Sequence, residues 1–208
     1  MLLPLLVAWG NPIIRILMNR KKFSIDVSGT PLTVEVSRLA EQADAAVLAQ
    51  YGETVVLATV VMGDVDEPLD YLPLKVEYEE RFYAAGQILG SRYVRREGKS
   101  SEEAVLTGRL IDRTLRPLFD HAIRRQIQVV VTVLAIDQEN DPDFVSLIAA
   151  STALSLSSIP FSGPVAAVRV ASCGSELVIN PTVSYLREHP GVFEAFVAGP
   201  KTKINMIE

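Results

Sequence analysis

The sequence predicts an α+β fold, a mixed sheet with packed helices. Three observations carry this expectation. Short runs that alternate apolar and polar residues fill the segment from 23 to 78, separated by turn clusters. Two helical segments with start signals follow, one on each side of a long β-branched run at 126–136. More strand-like runs come after the second helix, so strands and helices are mixed rather than strictly alternating.

Each element has its own justification. Strands at 23–27 and 32–38 flank Ser28-Gly29-Thr30-Pro31, a turn cluster. Strands at 45–51 and 54–62 flank Gly52-Glu53, the spacing of a hairpin. A further strand is predicted at 72–78, then an irregular stretch from 79 to 99 containing Gly86, Gly90 and Gly98. Ser100 with Glu103 reads as a capping box that opens a helix to about Leu115, with Pro117 just beyond. Helical periodicity puts Ala104, Thr107, Ile111, Leu115 and Leu118 on one face and Arg109, Arg113 and Arg116 on the opposite one. Asp141 and Pro142 suit the cap and first position of a second helix, continuing to about Ser157. Its small and apolar residues predict burial. A hairpin at 165–171 and 176–179 around Cys173-Gly174, a short helix near 182–188, a strand near 192–198 and the start of another at 203–208 complete the chain.

Composition removes several classes. The 208 residues are 49% hydrophobic, which excludes an intrinsically disordered chain. Nothing reaches the roughly 18 uninterrupted apolar residues of a membrane span. One cysteine, Cys173, excludes a disulfide scaffold, and two histidines, His121 and His189, leave little for a histidine-based metal site. Residues 1–17 are apolar but interrupted by Pro4, Gly10, Pro12 and Arg15, and they lack the pattern of a signal peptide. Met18 is expected to be the true start and 1–17 a non-native leader.

The charge distribution is more informative than the net charge of −5. Ten of the twenty Lys and Arg lie between Arg81 and Arg125: Arg81, Arg92, Arg95, Arg96, Lys99, Arg109, Arg113, Arg116, Arg124 and Arg125. That window also holds five acids, so it is positive within an otherwise acidic chain. Such a concentration suits a polyanion, and it suits equally a helix with a solvated basic face.

No Walker loop, GxGxxG pattern or GxSxG elbow is present. Asp64, Asp66, Glu67 and Asp70 could ligate a hard cation, but with Pro68 among them they read better as a solvated loop. Glu77, Glu79 and Glu80 read as surface residues or partners of Arg81, and both histidines as structural. The most informative stretch is 90–99, where glycines bracket one aromatic and several cations. Arg92, Arg95, Arg96 and Lys99 could contact phosphates, and Tyr93 could stack on a base. The same residues would also make an exposed basic turn paired with Glu97.

Three ordered motifs carry a resemblance: Tyr78-Glu79-Glu80-Arg81-Phe82-Tyr83-Ala84-Ala85-Gly86, Gly90-Ser91-Arg92-Tyr93-Val94-Arg95-Arg96-Glu97-Gly98, and Arg109-Leu110-Ile111-Asp112-Arg113-Thr114-Leu115-Arg116-Pro117-Leu118-Phe119. They closely resemble the polynucleotide phosphorylase family, specifically its first RNase PH-type domain. The resemblance covers residues 18–208 and implies an RNase PH-like (ribosomal protein S5 domain 2-like) fold, here expected to stop before its last strand and helix are complete. It implies part of a phosphate-dependent 3′-to-5′ exoribonuclease that degrades mRNA to nucleoside diphosphates. This domain would bind RNA and build a homotrimeric ring. Catalysis, Mg2+ and inorganic phosphate would belong to a second domain outside this chain, leaving no catalytic or metal residue here. Implied partners are single-stranded RNA, two further copies and RNA degradosome components, in the cytoplasm and away from membranes.

Among individual residues, the resemblance implies RNA binding by Arg92, Tyr93, Arg95, Arg96 and Lys99, with Val94 replacing an aromatic. Arg109, Arg113 and Arg116 would contact RNA or a neighbouring domain's site. The family's phosphate-binding turn reads Glu139-Asn140-Asp141-Pro142-Asp143-Phe144, and its aspartate-bearing strand reads Val178-Ile179-Asn180-Pro181. Carboxylates at a helix N-terminus repel phosphate, so the chain alone is expected to be inactive. A non-catalytic RNA-binding or scaffold subunit of an exosome-like ring is the alternative, and a stand-alone RNase PH is a third reading that the missing turn disfavours.

Overall fold

The structure, a computed structural model, describes residues 20–37, 39–66, 68–88, 90, 93, 99–173, 176–189 and 193–208. The expected leader at 1–17 and Met18 lie outside these residues.

The first half builds a six-stranded sheet from β1 (Lys21–Val27), β2 (Thr30–Val36), β3 (Ala45–Tyr51), β4 (Thr54–Asp66), β5 (Leu74–Glu79) and β6 (Arg125–Ala135). Their spatial order is β1-β2-β3-β4-β6-β5. Among the described residues only β5 and β6 run parallel, and the helix α1 (Glu102–Leu115) lies between them in sequence, as a crossover requires. The turn between β1 and β2 places Ser28 and Gly29 at positive φ, matching the twist of the flanking strands. In the β3–β4 hairpin Gly52 has φ 59, and a side chain there would collide with Asn140 and Asp137.

The second half adds α2 (Pro142–Leu156), β7 (Ala166–Cys173), β8 (Glu176–Ile179), α3 (Val183–Glu188), β9 (Phe193–Gly199) and β10 (Met206–Ile207). These four strands form a separate antiparallel sheet, ordered β10-β9-β7-β8. The expected mixed sheet is the first of the two, and the second is an antiparallel sheet beside it. The division follows from α2, which packs on β3, β4 and β6 on one side and β7 on the other. A helix held between two sheets must be apolar on all sides. Phe144, Val145, Leu147, Ala149, Ala150, Ala153 and Leu154 are all buried. Tyr51 of β3 meets Phe144 edge-on, with centroids 5.2 Å apart.

Two boundaries depart from expectation. Ser101, not Ser100, caps α1, its hydroxyl accepting the Ala104 N–H at 2.9 Å. That placement sets Glu102 and Glu103 in the first turn, where acids complement the helix dipole. Strand β4 runs on to Asp66, so Asp64 and Asp66 lie on a strand; Arg125 approaches Asp64 at 3.5 Å. The far face of the second sheet carries Leu177, Ile179, Phe193 and Ile207 in exposed positions. The predicted face of α1 holds: Ala104, Thr107, Ile111, Leu115 and Leu118 are all buried. Among the described residues no helix is long and apolar enough to cross a membrane.

Candidate nucleic-acid interface

Helix α1 presents the cations that the sequence singles out. Arg109 and Arg113 are exposed, and neither forms an ion pair among the described residues. Arg116 does not join them. It turns back on the sheet, binding both oxygens of Asp112 at 2.7 and 3.1 Å and donating to the carbonyls of Leu72 and Leu74 at 3.2 and 3.1 Å. The helix has ended by that point, so the side chain is directed by the following turn rather than by the periodicity of α1. Arg116 is a tie between α1 and the start of β5.

Of the glycine-bracketed loop, Arg92, Arg95 and Arg96 lie outside the described residues. Tyr93 is 82% exposed, and Lys99 is exposed just before the cap of α1. The base of the loop is anchored. Ser101 donates to Glu80 at 2.8 Å, and Arg81 pairs with Glu79. The helical turn Phe82–Ala85 is fixed to the sheet by the Ile136 N–H, which donates to Ala84 at 3.1 Å. Between these anchors lies a cleft of about 380 Å³ with an apolar floor of Phe82, Val133 and Ile136 and with Lys99 on its rim.

The two segments matched to the family's phosphate turn and aspartate strand do meet. Tyr51, Asn140, Asp141, Phe144, Arg169, Asn180 and Pro181 surround one small cavity of about 10 Å³. That volume barely admits one water. Asp141 caps α2, accepting the Asp143 N–H at 2.9 Å. The Arg169 guanidinium is ion-paired with Asp141, lies 3.7 Å from Asp143, and pairs with Glu194 at 2.5 Å. Asn180 accepts the Arg169 backbone N–H at 2.8 Å. The helix terminus is thus occupied by the protein's own charges. Three carboxylates gathered round a guanidinium fit neither an anion nor Mg2+, since they repel the anion and the negative charge they would offer a metal is already taken by Arg169.

Arg169 escaped the sequence reading. It is the one charged residue of β7 and shares the inward phase of Ala167 and Ala171, both buried. A cation at a core-facing strand position was the available signal.

Next to the cap, the loop 137–140 folds around Asp137. Its carboxylate accepts from the backbone N–H groups of Glu53, Glu139 and Asn140 and from the Asn140 side chain. Burial alone would raise its pKa, but these hydrogen bonds hold it down to about 2. Asp143 behaves in the opposite way. Burial and the neighbouring Asp141 carboxylate push it up to about 7, against the Thr107 hydroxyl and Arg169.

The model of the 3′ exoribonuclease family, domain 1, matches residues 29–160. The chain belongs to this family. Within the 3′ exoribonuclease family it is 48% identical over 189 residues to a polyribonucleotide nucleotidyltransferase of Exiguobacterium sibiricum, covering 91% of this chain and 25% of that protein. It is 54% identical over 186 residues to one from Thermomicrobium roseum, covering 89% of this chain and 23% of that protein. The chain therefore spans about a quarter of the length of these relatives. The RNase PH-like fold is shared with rice (Oryza sativa) Rrp46, at a TM-score of 0.66 and 14% identity over 86% of this chain and 79% of that one. It is shared also with the Archaeoglobus fulgidus exosome with RNA bound to the active site, at 0.61 and 15% identity over 91% and 76%.

Proposed function

We propose that this chain is the RNA-holding part of a phosphate-dependent 3′-to-5′ exoribonuclease that degrades mRNA to nucleoside diphosphates, with its catalytic residues outside the chain. The observation that carries this reading is the closed end of α2, where Arg169 pairs with Asp141 beside a cavity of about 10 Å³, too small for a phosphate. Arg109 and Arg113 on α1, and Lys99 just before the cap of α1, stay exposed. In this reading Arg92, Arg95 and Arg96 act with them. RNA is gripped through its phosphates by the cations and through a base by Tyr93. Arg109 and Arg113 face either the RNA or a neighbouring domain's site.

The relatives' shared name, polyribonucleotide nucleotidyltransferase, supports the activity of the whole protein. In this reading residues 18–208 are the first RNase PH-type domain of a homotrimeric ring. Mg2+ and inorganic phosphate bind in the part that carries catalysis. The protein works on single-stranded RNA in the cytoplasm, away from membranes, with RNA degradosome components as further partners.

The test is direct. The purified chain is mixed with poly(A) and inorganic phosphate, and both RNA binding and nucleoside diphosphate release are followed. Salt-dependent binding without release is expected. Release would overturn the placing of catalysis elsewhere, and absence of binding at low salt would overturn the RNA role.

A further inference from the structure

Strand β5 is an edge of the first sheet. The Ile127 N–H donates to the Pro73 carbonyl at 2.9 Å, and β5 runs parallel to β6. In that register the backbone groups of Lys75, Glu77 and Glu79 turn toward β6, and those of Leu74, Val76 and Tyr78 turn outward. A bare edge invites another strand, and proteins generally cover it. Here the cover is partial. The Leu74 N–H donates to Leu72 at 2.9 Å, and Arg116 donates to the carbonyls of Leu72 and Leu74. The outward N–H and C=O of Val76 and Tyr78 meet no partner among the described residues.

These groups border a groove of about 430 Å³ between β5 and α1. The helix runs opposite to β5, since Ser101 at its start binds Glu80 and Arg116 at its end binds Leu72. Gly108 stands midway along this wall. A Cβ there would lie 3.6 Å from Tyr78 Cβ and 3.8 Å from both the Tyr78 nitrogen and the Val76 oxygen, ordinary contacts for an alanine. Glycine weakens a helix interior relative to alanine, so neither packing nor propensity accounts for it. What Gly108 keeps clear is the approach to the two unpaired backbone groups. Val105 is 50% exposed on the same wall. One turn further on, Arg109 is exposed and forms no ion pair among the described residues. The other charges along the groove are committed: Lys75 to Glu77, Glu79 to Arg81, and Asp112 to Arg116.

We propose that this groove accepts an extended segment of a partner protein, added to β5 as an antiparallel strand. Its backbone bonds Val76 and Tyr78, and the side chains opposite those two residues face α1 and select the segment. One helical turn rises about 5–6 Å, and two strand residues span about 7 Å. A small apolar side chain against Val105, followed two residues later by a carboxylate at Arg109, therefore fits the wall. The edge of a folded sheet is too broad, because α1 walls one side and Arg116 closes one end. A nucleic acid strand lacks the alternating donors and acceptors that the edge requires. The inference goes beyond the proposed function, which leaves β5 unused.

The test uses the nitrogen-15-labelled intact chain and the peptide acetyl-Thr-Val-Thr-Glu-Thr-amide. NMR shifts and hydrogen exchange of the Val76 and Tyr78 amides are followed during titration. The peptide should shift both resonances and slow the exchange of both amides. N-methylation of its Val and Glu, whose N–H groups face β5, should abolish binding, whereas N-methylation of the central Thr should preserve it. Gly108→Ala should keep or raise the melting midpoint while weakening binding about tenfold. Unmoved Val76 and Tyr78 resonances at millimolar peptide overturn the proposal. So does a peptide methylated at Val and Glu that binds like its parent, or undiminished binding by Gly108→Ala. Oligo(A) protecting the same two amides also overturns it, since the groove would then hold RNA.

Discussion

Arg169 in the second sheet is ion-paired with Asp141, the residue that caps a helix resting on the first sheet. One guanidinium thereby closes the N-terminus of α2 and fastens β7 to it. The same contact excludes an anion and holds two layers together.

Arg169→Ala leaves Asp141, Asp143 and Glu194 without a counter-charge. Breaking a largely buried pair from one side costs about 3 kcal/mol. In a chain of this size that lowers the melting midpoint by roughly 10 °C. Adding Asp141→Asn should recover part of the loss, because asparagine still caps a helix while removing one stranded charge. Urea denaturation of the single and double variants measures both effects.

The acid limb of stability depends on Asp137. A carboxylate whose pKa is lowered on folding contributes stability that is fully present above the unfolded value and disappears as pH falls through the folded one. The window therefore runs from about pH 4 down to about pH 2. Asp137→Asn should weaken the chain at neutral pH and flatten its loss of ellipticity across that window.

Arg116 should separate from its helical neighbours in any paired assay. Arg116→Ala removes four hydrogen bonds between α1 and the β5 segment and should cost about 1–3 kcal/mol of stability. Its RNA affinity should then match that of the unmutated chain at temperatures where both are folded. Arg109→Ala and Arg113→Ala should leave stability within about 0.5 kcal/mol and should each reduce the salt slope of RNA binding by about 1.

Tyr93 and Lys99 are distinguished by their salt dependence. Tyr93→Ala should weaken single-stranded RNA binding by about 1–3 kcal/mol with an unchanged salt slope, since stacking releases no counterion. Tyr93→Phe should restore it. Lys99→Ala should lower the slope itself. Fluorescence anisotropy across a salt series reads all three.

The sequence made much of this fold legible where a local pattern coincides with a local element. The β3–β4 hairpin was predicted over 45–51 and from 54 because alternation and Gly52 are both contained in the segment. The buried face of α1 and the Asp141–Pro142 start of α2 followed from periodicity and capping in the same way. The division into two sheets did not, because strand partners are chosen by packing across α2, at sequence separations that no local pattern records. Arg116 and Arg169 were hidden for a related reason. Their guanidiniums are fixed by Leu72 and Asp141, residues distant in the chain. The exposure of Arg109 and Arg113 on α1 was legible from periodicity, whereas Arg116 lies past the helix end and its guanidinium turns back to the sheet.

The central position of α2 governs how the protein comes apart. Both sheets rest on the same buried helix and share one hydrophobic cluster with it. The backbone amides of Val145, Leu147 and Leu154 should therefore exchange hydrogen for deuterium only through global unfolding, at a common rate. Damage to either sheet would accelerate exchange in the other, so the two layers behave as one cooperative unit.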